Sequence, residues 1–300
     1  MQKQGNISVG VYELALVAVT VLWGGSFIVL KGALDSMSPG WLLTMRFSLA
    51  ALVLGVPFLR RIRRHLDARH LRAGVLIGIP EGIAFLVQNV GLIDTTPGRN
   101  AFLTGSYCVM VPFLAWLFER RRPTGRDVLC AFLCLAGIGF VSLRGDLGMA
   151  LSRGDVLTLV GAVFFALNIL CVDWFGRGCD FVTVTFVELA TMAAVCLGWS
   201  LVAERLPVPD DLLSGFFAQL AYVVLASTML CMLLQNVAQQ HVPSGRAALL
   251  MSLESVFATI FSIVFYGERL SVPVALGFAL ILVSVVLSQA SGDDLREVAA

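Results

Sequence analysis

The sequence predicts an all-α integral membrane protein with ten transmembrane helices, arranged as two inverted five-helix repeats. Three observations lead there: a composition too apolar for water, ten separate apolar runs of spanning length, and an internal match between the two halves. Of 300 residues, 58% are hydrophobic and 14% charged, with a mean hydropathy of +0.88. A soluble domain carries about 25% charged residues. This chain has far too few to solvate a surface, and a soluble fold is excluded.

Charges and Gly/Pro punctuation divide the chain into runs at 12–33, 39–59, 71–92, 98–118, 124–143, 154–174, 181–203, 213–239, 244–266 and 271–290. About 20 helical residues cross the hydrocarbon core. The first run follows a weakly charged lead with no A-x-A site before its end, so it reads as an uncleaved helix and not a signal peptide. The second opens on Pro39-Gly40 and stops at a basic stretch, Arg60 to Arg72, which reads as a topology determinant touching anionic lipid. The third contains Pro80, which removes a backbone donor and predicts a kink. The connections leave no room for a soluble domain.

Orientation follows the Lys/Arg bias of the short loops. With the N-terminus cytoplasmic, inside segments hold 14 basic residues and outside segments 6, so both termini are expected in the cytoplasm. The net charge of +1 provides no field for nucleic acid. Six of the seven cysteines lie in apolar runs, which is packing usage. Cys130 and Cys134, one helical turn apart, have no His or acid beside them and read the same way. No metal or cofactor site is expected.

Residues 85–103 (FLVQNVGLIDTTPGRNAFL) match 232–250 (MLLQNVAQQHVPSGRAALL) at eight of 19 positions, at an offset of 147. Glu119-Arg120 after the fourth run recurs as Glu268-Arg269 after the ninth. The halves are therefore read as 1–147 and 148–300. Five helices per half is odd, so the second half enters from the opposite face. Such inverted repeats place a site between the halves that opens alternately to each side.

The Trp23-Gly24-Gly25-Ser26-Phe27 start, the Arg46-Phe47 pair, the small-residue fourth and ninth runs, Pro112 and the closing Glu-Arg pairs resemble the EamA family of the drug/metabolite transporter superfamily. The resemblance covers nearly the whole chain. It implies a ten-helix secondary carrier of the plasma membrane, often exporting amino acids or other small metabolites. Ser255, preceded by Glu254, stands where the family often has proline, so no proline kink is implied there.

An ionisable group at a span centre costs about 2.5–3.5 kcal/mol on insertion scales, so those present call for a role or a partner. Four lie deep: Arg46, Glu81, Glu188 and Glu254. Glu13 and Lys31 sit near the ends of the first run, where they can snorkel. Glu81, Phe85 and Gln88 share a helical face, and the repeat aligns them with Thr228, Met232 and Gln235, as two stripes on a common cavity or as interhelical hydrogen bonds. Glu254 matches Tyr107. It is a candidate proton carrier together with Glu81, or a counter-charge for a substrate amine; a fixed ion pair is the plainer alternative. Trp23, Ser26 and Phe27 share a face, and Asn168 matches Ser26 at an offset of 142. The candidate substrate-binding set is thus Trp23, Ser26, Phe27, Glu81, Phe85, Gln88, Tyr107, Asn168, Met232, Gln235 and Glu254. Glu188 and Arg46 match at an offset of 142 and admit structural ion pairs near the membrane faces, the reading taken for Glu188; for Arg46 a packing or gating role and carboxylate binding are equally open. Arg99 and Arg246, each at a helix start, are read as holding an anion, lipid or a neighbouring acid. The Gly74, Gly78, Gly82 stripe should press the third helix onto a neighbour.

The functional expectation is a secondary active exporter of small polar or amphiphilic metabolites, amino acids and derivatives first, working by alternating access. Cationic, drug-like or choline-type solutes are the alternative. No G-x-x-x-x-G-K-[ST] loop is present for ATP, which leaves a gradient of protons or of substrate. An intramembrane enzyme would need a nucleophile–base pair or metal cluster, and there is no G-x-S-x-G, no H-E-x-x-H and no deep histidine. A scaffold or sensor would need extramembrane sequence. The expected partners are a small-molecule substrate and the lipid bilayer; no motif specifies an oligomeric state.

Overall fold

The computed structural model describes residues 9–120, 122–142, 152–207, 215–266 and 272–289. Among them every regular element is helical: α1 (Val9–Ala33), α2 (Pro39–His65), α3 (Ala68–Ile93), α4 (Pro97–Glu119), α5 (Gly125–Ser142), α6 (Arg153–Gly176), α7 (Phe181–Ala203), α8 (Phe216–Gln239), α9 (Ser244–Met251 continued by Glu254–Tyr266) and α10 (Val272–Gln289). Eight of the ten, all but α5 and α10, are long and apolar enough to cross a membrane. Helices α5 and α10 have 18 residues each and pack on one another. Ser284 Oγ donates to Cys130 O at 2.7 Å, and the Arg126 guanidinium donates to Leu287 O. Leu14, Val56, Leu117, Val202 and Val264 face outward, as a surface solvated by lipid chains requires. The half boundary at 147/148, the Glu268-Arg269 pair and both chain ends lie outside the described residues.

Two helices run past the limits expected from hydropathy. Helix α2 continues through Arg60–Arg64 to His65, and α3 begins at Ala68, where Asp67 Oδ1 accepts from His70 N at 2.9 Å. Arginine is a good helix former, so the helix outlasts its apolar run. Asp67 is held below the ordinary carboxylate range by the hydrogen bonds from His70.

Helix α3 lies between α6 and α7, and glycine sets its distance from both. A Cβ at Gly74 would lie 2.5 Å from Val187 Cβ, and one at Gly78 2.7 Å from Glu188 O. At the far end, a Cβ at Gly91 would lie 2.7 Å from Gly154 O of α6. The expected neighbour of the glycine stripe is therefore α7.

Helices α2 and α7 are tied at both ends. At one, the Glu204 carboxylate accepts from Gly40 N (2.9 Å), Trp41 N (3.1 Å) and Ser38 Oγ (2.7 Å), an anion seated on the exposed donors that open α2. At the other, Arg61 makes two hydrogen bonds to Asp180 Oδ2, at 2.9 and 2.6 Å. Partial burial pushes the Asp180 carboxyl up, but bonds from Arg61 and Thr183 outweigh it and hold it below its ordinary value. This tie is complete above the ordinary carboxylate range and is lost only as pH falls through the lowered value.

Two spans break near their middles. Helix α4 is interrupted at Ser106, between Pro97–Gly105 and Tyr107–Glu119. Helix α9 breaks at Ser252-Leu253 without any proline. There Ser252 Oγ donates to Leu249 O at 2.7 Å and Ser255 Oγ to Ser252 O at 2.8 Å. Serine back-bonding to carbonyls bends helices, so the family's missing proline does not leave α9 straight.

Gly78→Leu should lower stability by ~1–3 kcal/mol or more through overpacking, read as a fall in thermal unfolding temperature in detergent. Gly98→Ala, where nothing lies within 4 Å, should leave it unchanged.

Candidate binding cavity

Six helices enclose one buried cavity, three from each half. Its lining is Trp23, Ser26, Phe27 and Leu30 of α1; Glu81, Phe85 and Gln88 of α3; Thr104 and Tyr107 of α4; Phe165, Asn168 and Ile169 of α6; Gln235 of α8; and Met251 and Glu254 of α9. Ten of the eleven residues picked from sequence meet there. The exception is Met232, fully buried in the apolar core and absent from the lining. Met232 and Gln235 both lie in the regular stretch Cys231–Gln239, so helical spacing between them holds and it is packing that takes Met232 into the core. Just before them the backbone of α8 departs from regular spacing.

The departure is a wide π turn at Leu225–Leu230. A π turn frees carbonyls from the helix ladder, and Ser227 O is used twice: it accepts from Trp23 Nε1 at 2.9 Å and from Arg46 Nη2 at 3.3 Å. Arg46 Nε donates to Thr228 Oγ1, and Nη2 also reaches Ser227 Oγ at 3.2 Å. The guanidinium lies 4.9 Å from the Phe85 ring centre and 5.4 Å from that of Phe47, a cation–π arrangement. Arg46 is 0% exposed, so it sits inside the bundle and not at a membrane face. Ser227 corresponds to Pro80 at the 147 offset. Both α3 and α8 are therefore irregular at the same place in the repeat, one by proline and one by a π turn. In α3, Asn168 Nδ2 reaches Ile77 O at 3.2 Å, beside the donor gap that Pro80 leaves.

Polar groups of the lining are mostly committed to one another. Asn168 Nδ2 donates to Glu81 Oε2 at 3.2 Å, and Gln235 Nε2 to Asn168 Oδ1 at 3.3 Å. Gln88 Nε2 donates to Thr104 Oγ1 at 2.8 Å. Behind Glu81 lies Glu188, whose Oε2 accepts from Asn236 Nδ2 at 2.5 Å. The Glu81 and Glu188 carboxyls touch. Glu188 thus bonds to an amide and a second carboxyl in the interior, which corrects the expected ion pair at a membrane face. Tyr107 and Glu254, repeat partners, each begin the second half of a broken helix. Their side chains are neighbours, yet Tyr107 Oη and Glu254 Oε1 have no hydrogen bond, and neither has Gln235 Oε1.

The lining is also repeat-symmetric. Trp23/Phe165, Ser26/Asn168 and Phe27/Ile169 correspond at the 142 offset, and Gln88/Gln235, Thr104/Met251 and Tyr107/Glu254 at 147. Leu30, Phe165, Ile169, Thr104 and Met251 are absent from the sequence-based set. Carrying each chosen residue across the repeat would have found Phe165 and Ile169.

The ends of the cavity differ. Toward the start of α4, Arg99 makes a two-pronged contact with the Asp155 carboxylate (Nε–Oδ1 2.8 Å, Nη2–Oδ2 2.7 Å). Lys31 Nζ caps the end of α3 through Leu92 O (2.7 Å) and Ile93 O (3.0 Å), so this end is closed. Toward the start of α9 lies a basin of about 400 Å³ lined by Cys108, Glu119, Arg122, Asp173, Arg177 and Arg246 among others. There Arg246 Nη1 contacts Glu13 Oε1 at 3.1 Å. Arg99 and Arg246 are related at 147, and Asp155 and Glu13 at 142. The same ion pair therefore occurs once at each end.

The EamA-like transporter family profile matches the chain twice, over residues 11–143 and 152–289. An uncharacterized transporter of Archaeoglobus fulgidus is 32% identical over 281 residues, covering 92% of this chain and 84% of that protein. The uncharacterized transporter YyaM of Bacillus subtilis is 22% identical over 281 residues, covering 91% and 92%. A protein of known crystal structure superposes with a TM-score of 0.76 at 14% identity, covering 94% of this chain and 98% of its own, a likeness of fold alone.

Arg46→Lys should cost ~1–3 kcal/mol of stability, since one ammonium cannot span Ser227 and Thr228 while lying on Phe85. Thermal unfolding in detergent measures it; an unchanged midpoint would remove the anchor role.

Proposed function

Because the chain belongs to the EamA-like transporter family, we propose that this multi-pass membrane transporter is a secondary active carrier that exports small polar or amphiphilic metabolites, amino acids and their derivatives first, by alternating access. The observation that carries the reading is the cavity itself: six lining pairs related by the repeat, three helices from each half, and a closed end opposite an open basin. The cavity volume is about 20 Å³, room for roughly one water. A metabolite enters only if the halves part.

In this reading the moving units are the halves 1–147 and 148–300, and the membrane is the plasma membrane with both termini cytoplasmic. The basin then faces the cytoplasm, and Arg99–Asp155 shuts the outer end. When the halves rock, that pair separates and its repeat counterpart Arg246–Glu13 tightens. Broken helices at the site supply half-helix ends to a bound polar group. Glu81 and Glu254 are the proton carriers.

Counterflow in proteoliposomes tests carriage: a labelled amino acid should accumulate against an unlabelled pool inside. Glu81→Gln and Glu254→Gln should each abolish the response to a pH gradient; an intact response in both would end the proton reading. For the gate, Asp155→Asn should speed labelling of Thr104→Cys by an impermeant maleimide from the Arg99 side several-fold, in a background without the native cysteines. An unchanged rate would remove the pair from the gate.

A further inference from the structure

The hydrogen-bonding inventory of the cavity is lopsided. Among the described residues its charged lining groups are Glu81 and Glu254, and no Lys, Arg or His lines it. Its donors are largely used internally: Ser26 Oγ on Trp23 O (2.8 Å), Trp23 Nε1 on Ser227 O (2.9 Å), Thr104 Oγ1 on Asn100 O (2.9 Å), and the amides of Gln88, Asn168 and Gln235 on one another's neighbourhood as described. What remains is the Tyr107 hydroxyl, which lies against the Glu254 carboxyl, and two acceptors. Gln235 Oε1 and Glu254 Oε1 are buried in residues 3% and 4% exposed, with no partner. An acceptor held dry and unpaired costs about 1–3 kcal/mol, more when charged. A ligand that brings donors removes that cost; one that brings only acceptors or methyl groups leaves it in place.

The remaining surface is aromatic and apolar: Trp23, Phe27, Phe85, Tyr107 and Phe165, with Phe85 and Phe165 edge to face at 5.0 Å. Such walls suit a hydrocarbon or ring body and attract a cation.

We propose that the site selects a protonated primary or secondary amine on an apolar or aromatic body, its N–H groups donating to Glu254 Oε1 and Gln235 Oε1. The ammonium is the recognised group. Quaternary ammonium compounds lack the N–H donors, and a free carboxylate on the ligand finds no cationic side chain in the lining. This narrows the carrier reading, on which it rests for the meaning of the site, from amino acids to amine derivatives without a free carboxylate; binding is separable from carriage.

The test is equilibrium binding to the purified full chain in nanodiscs, read by Trp fluorescence and by thermal shift, with a matched series: phenethylamine, N-methylphenethylamine, trimethyl(phenethyl)ammonium and 3-phenylpropionate. The two N–H-bearing amines should bind at least tenfold tighter than the quaternary compound, and phenylpropionate should not bind. Glu254→Gln should weaken the amines at least tenfold and narrow their lead over the quaternary compound. Gln235→Met should act in the same direction, and thermal unfolding without ligand verifies that both variants fold. Equal binding of the quaternary compound, tighter binding of the carboxylate, no binding of any amine, or unchanged amine affinity in both variants overturns the proposal. Counterflow with the same series separates the two readings. Amines that bind but are not exchanged sustain the site and overturn the carrier. Exchange of carboxylates without amine preference sustains the carrier and overturns the site.

Discussion

Contact of backbone on backbone across glycine is the constraint from which the rest of this structure follows. In hydrocarbon, apolar side chains gain little by leaving lipid, so helices associate through packing and polar contacts. Helix α3 approaches α7 where Gly74, Gly78 and Gly82 carry no side chain, and approaches α6 through Gly91, Gly154 and Gly161. Only at this distance do Glu81, Glu188 and Asn168 meet. Helix α8 takes the equivalent place against α1 and α2, bringing the Ser227 carbonyl to Trp23 and Arg46. The halves therefore interlock, each presenting its third helix to the other.

Four irregularities flank the cavity, and a further π turn, Val172–Gly176, ends α6. Pro80 in α3, the π turn in α8 and the breaks in α4 and α9 occupy two pairs of repeat-related spans. Each leaves backbone groups that a regular helix would satisfy, and in a membrane interior these need another partner. Asn168, Trp23, Arg46, Ser252 and Ser255 provide several of the contacts. Departures from ideal helix are thus tolerated where neighbouring side chains compensate, and the same departures shape the cavity wall.

Charge follows the same economy. The ion pairs with good geometry lie at the ends: Arg61 with Asp180, Arg99 with Asp155, and Glu204 on the opening of α2. Toward the middle, carboxyls meet amides, hydroxyls and each other. Arg99–Asp155 and Arg246–Glu13 stand at opposite ends of the cavity, and at its centre Gln235 Oε1 has no hydrogen bond.

Much of this was legible in the amino-acid order alone. Membrane residence follows from composition, because hydrocarbon solvates apolar surface and water does not. The inverted pairing of halves follows from the Gln-Asn-Val and Gly-Arg match and an odd helix count. Ten of the lining residues followed from helical spacing and partial matches across the repeat, since residues on matching faces of related helices converge. Residue spacing was silent on distances between helices and on backbone irregularity. That Met232 leaves the cavity, that α9 breaks without proline, that Arg46 anchors on a π turn, and that Glu188 faces Glu81 and not a base were decided by tertiary packing. Those features depend on which carbonyls are released and how closely helices approach, and both arise only when the two halves are brought together.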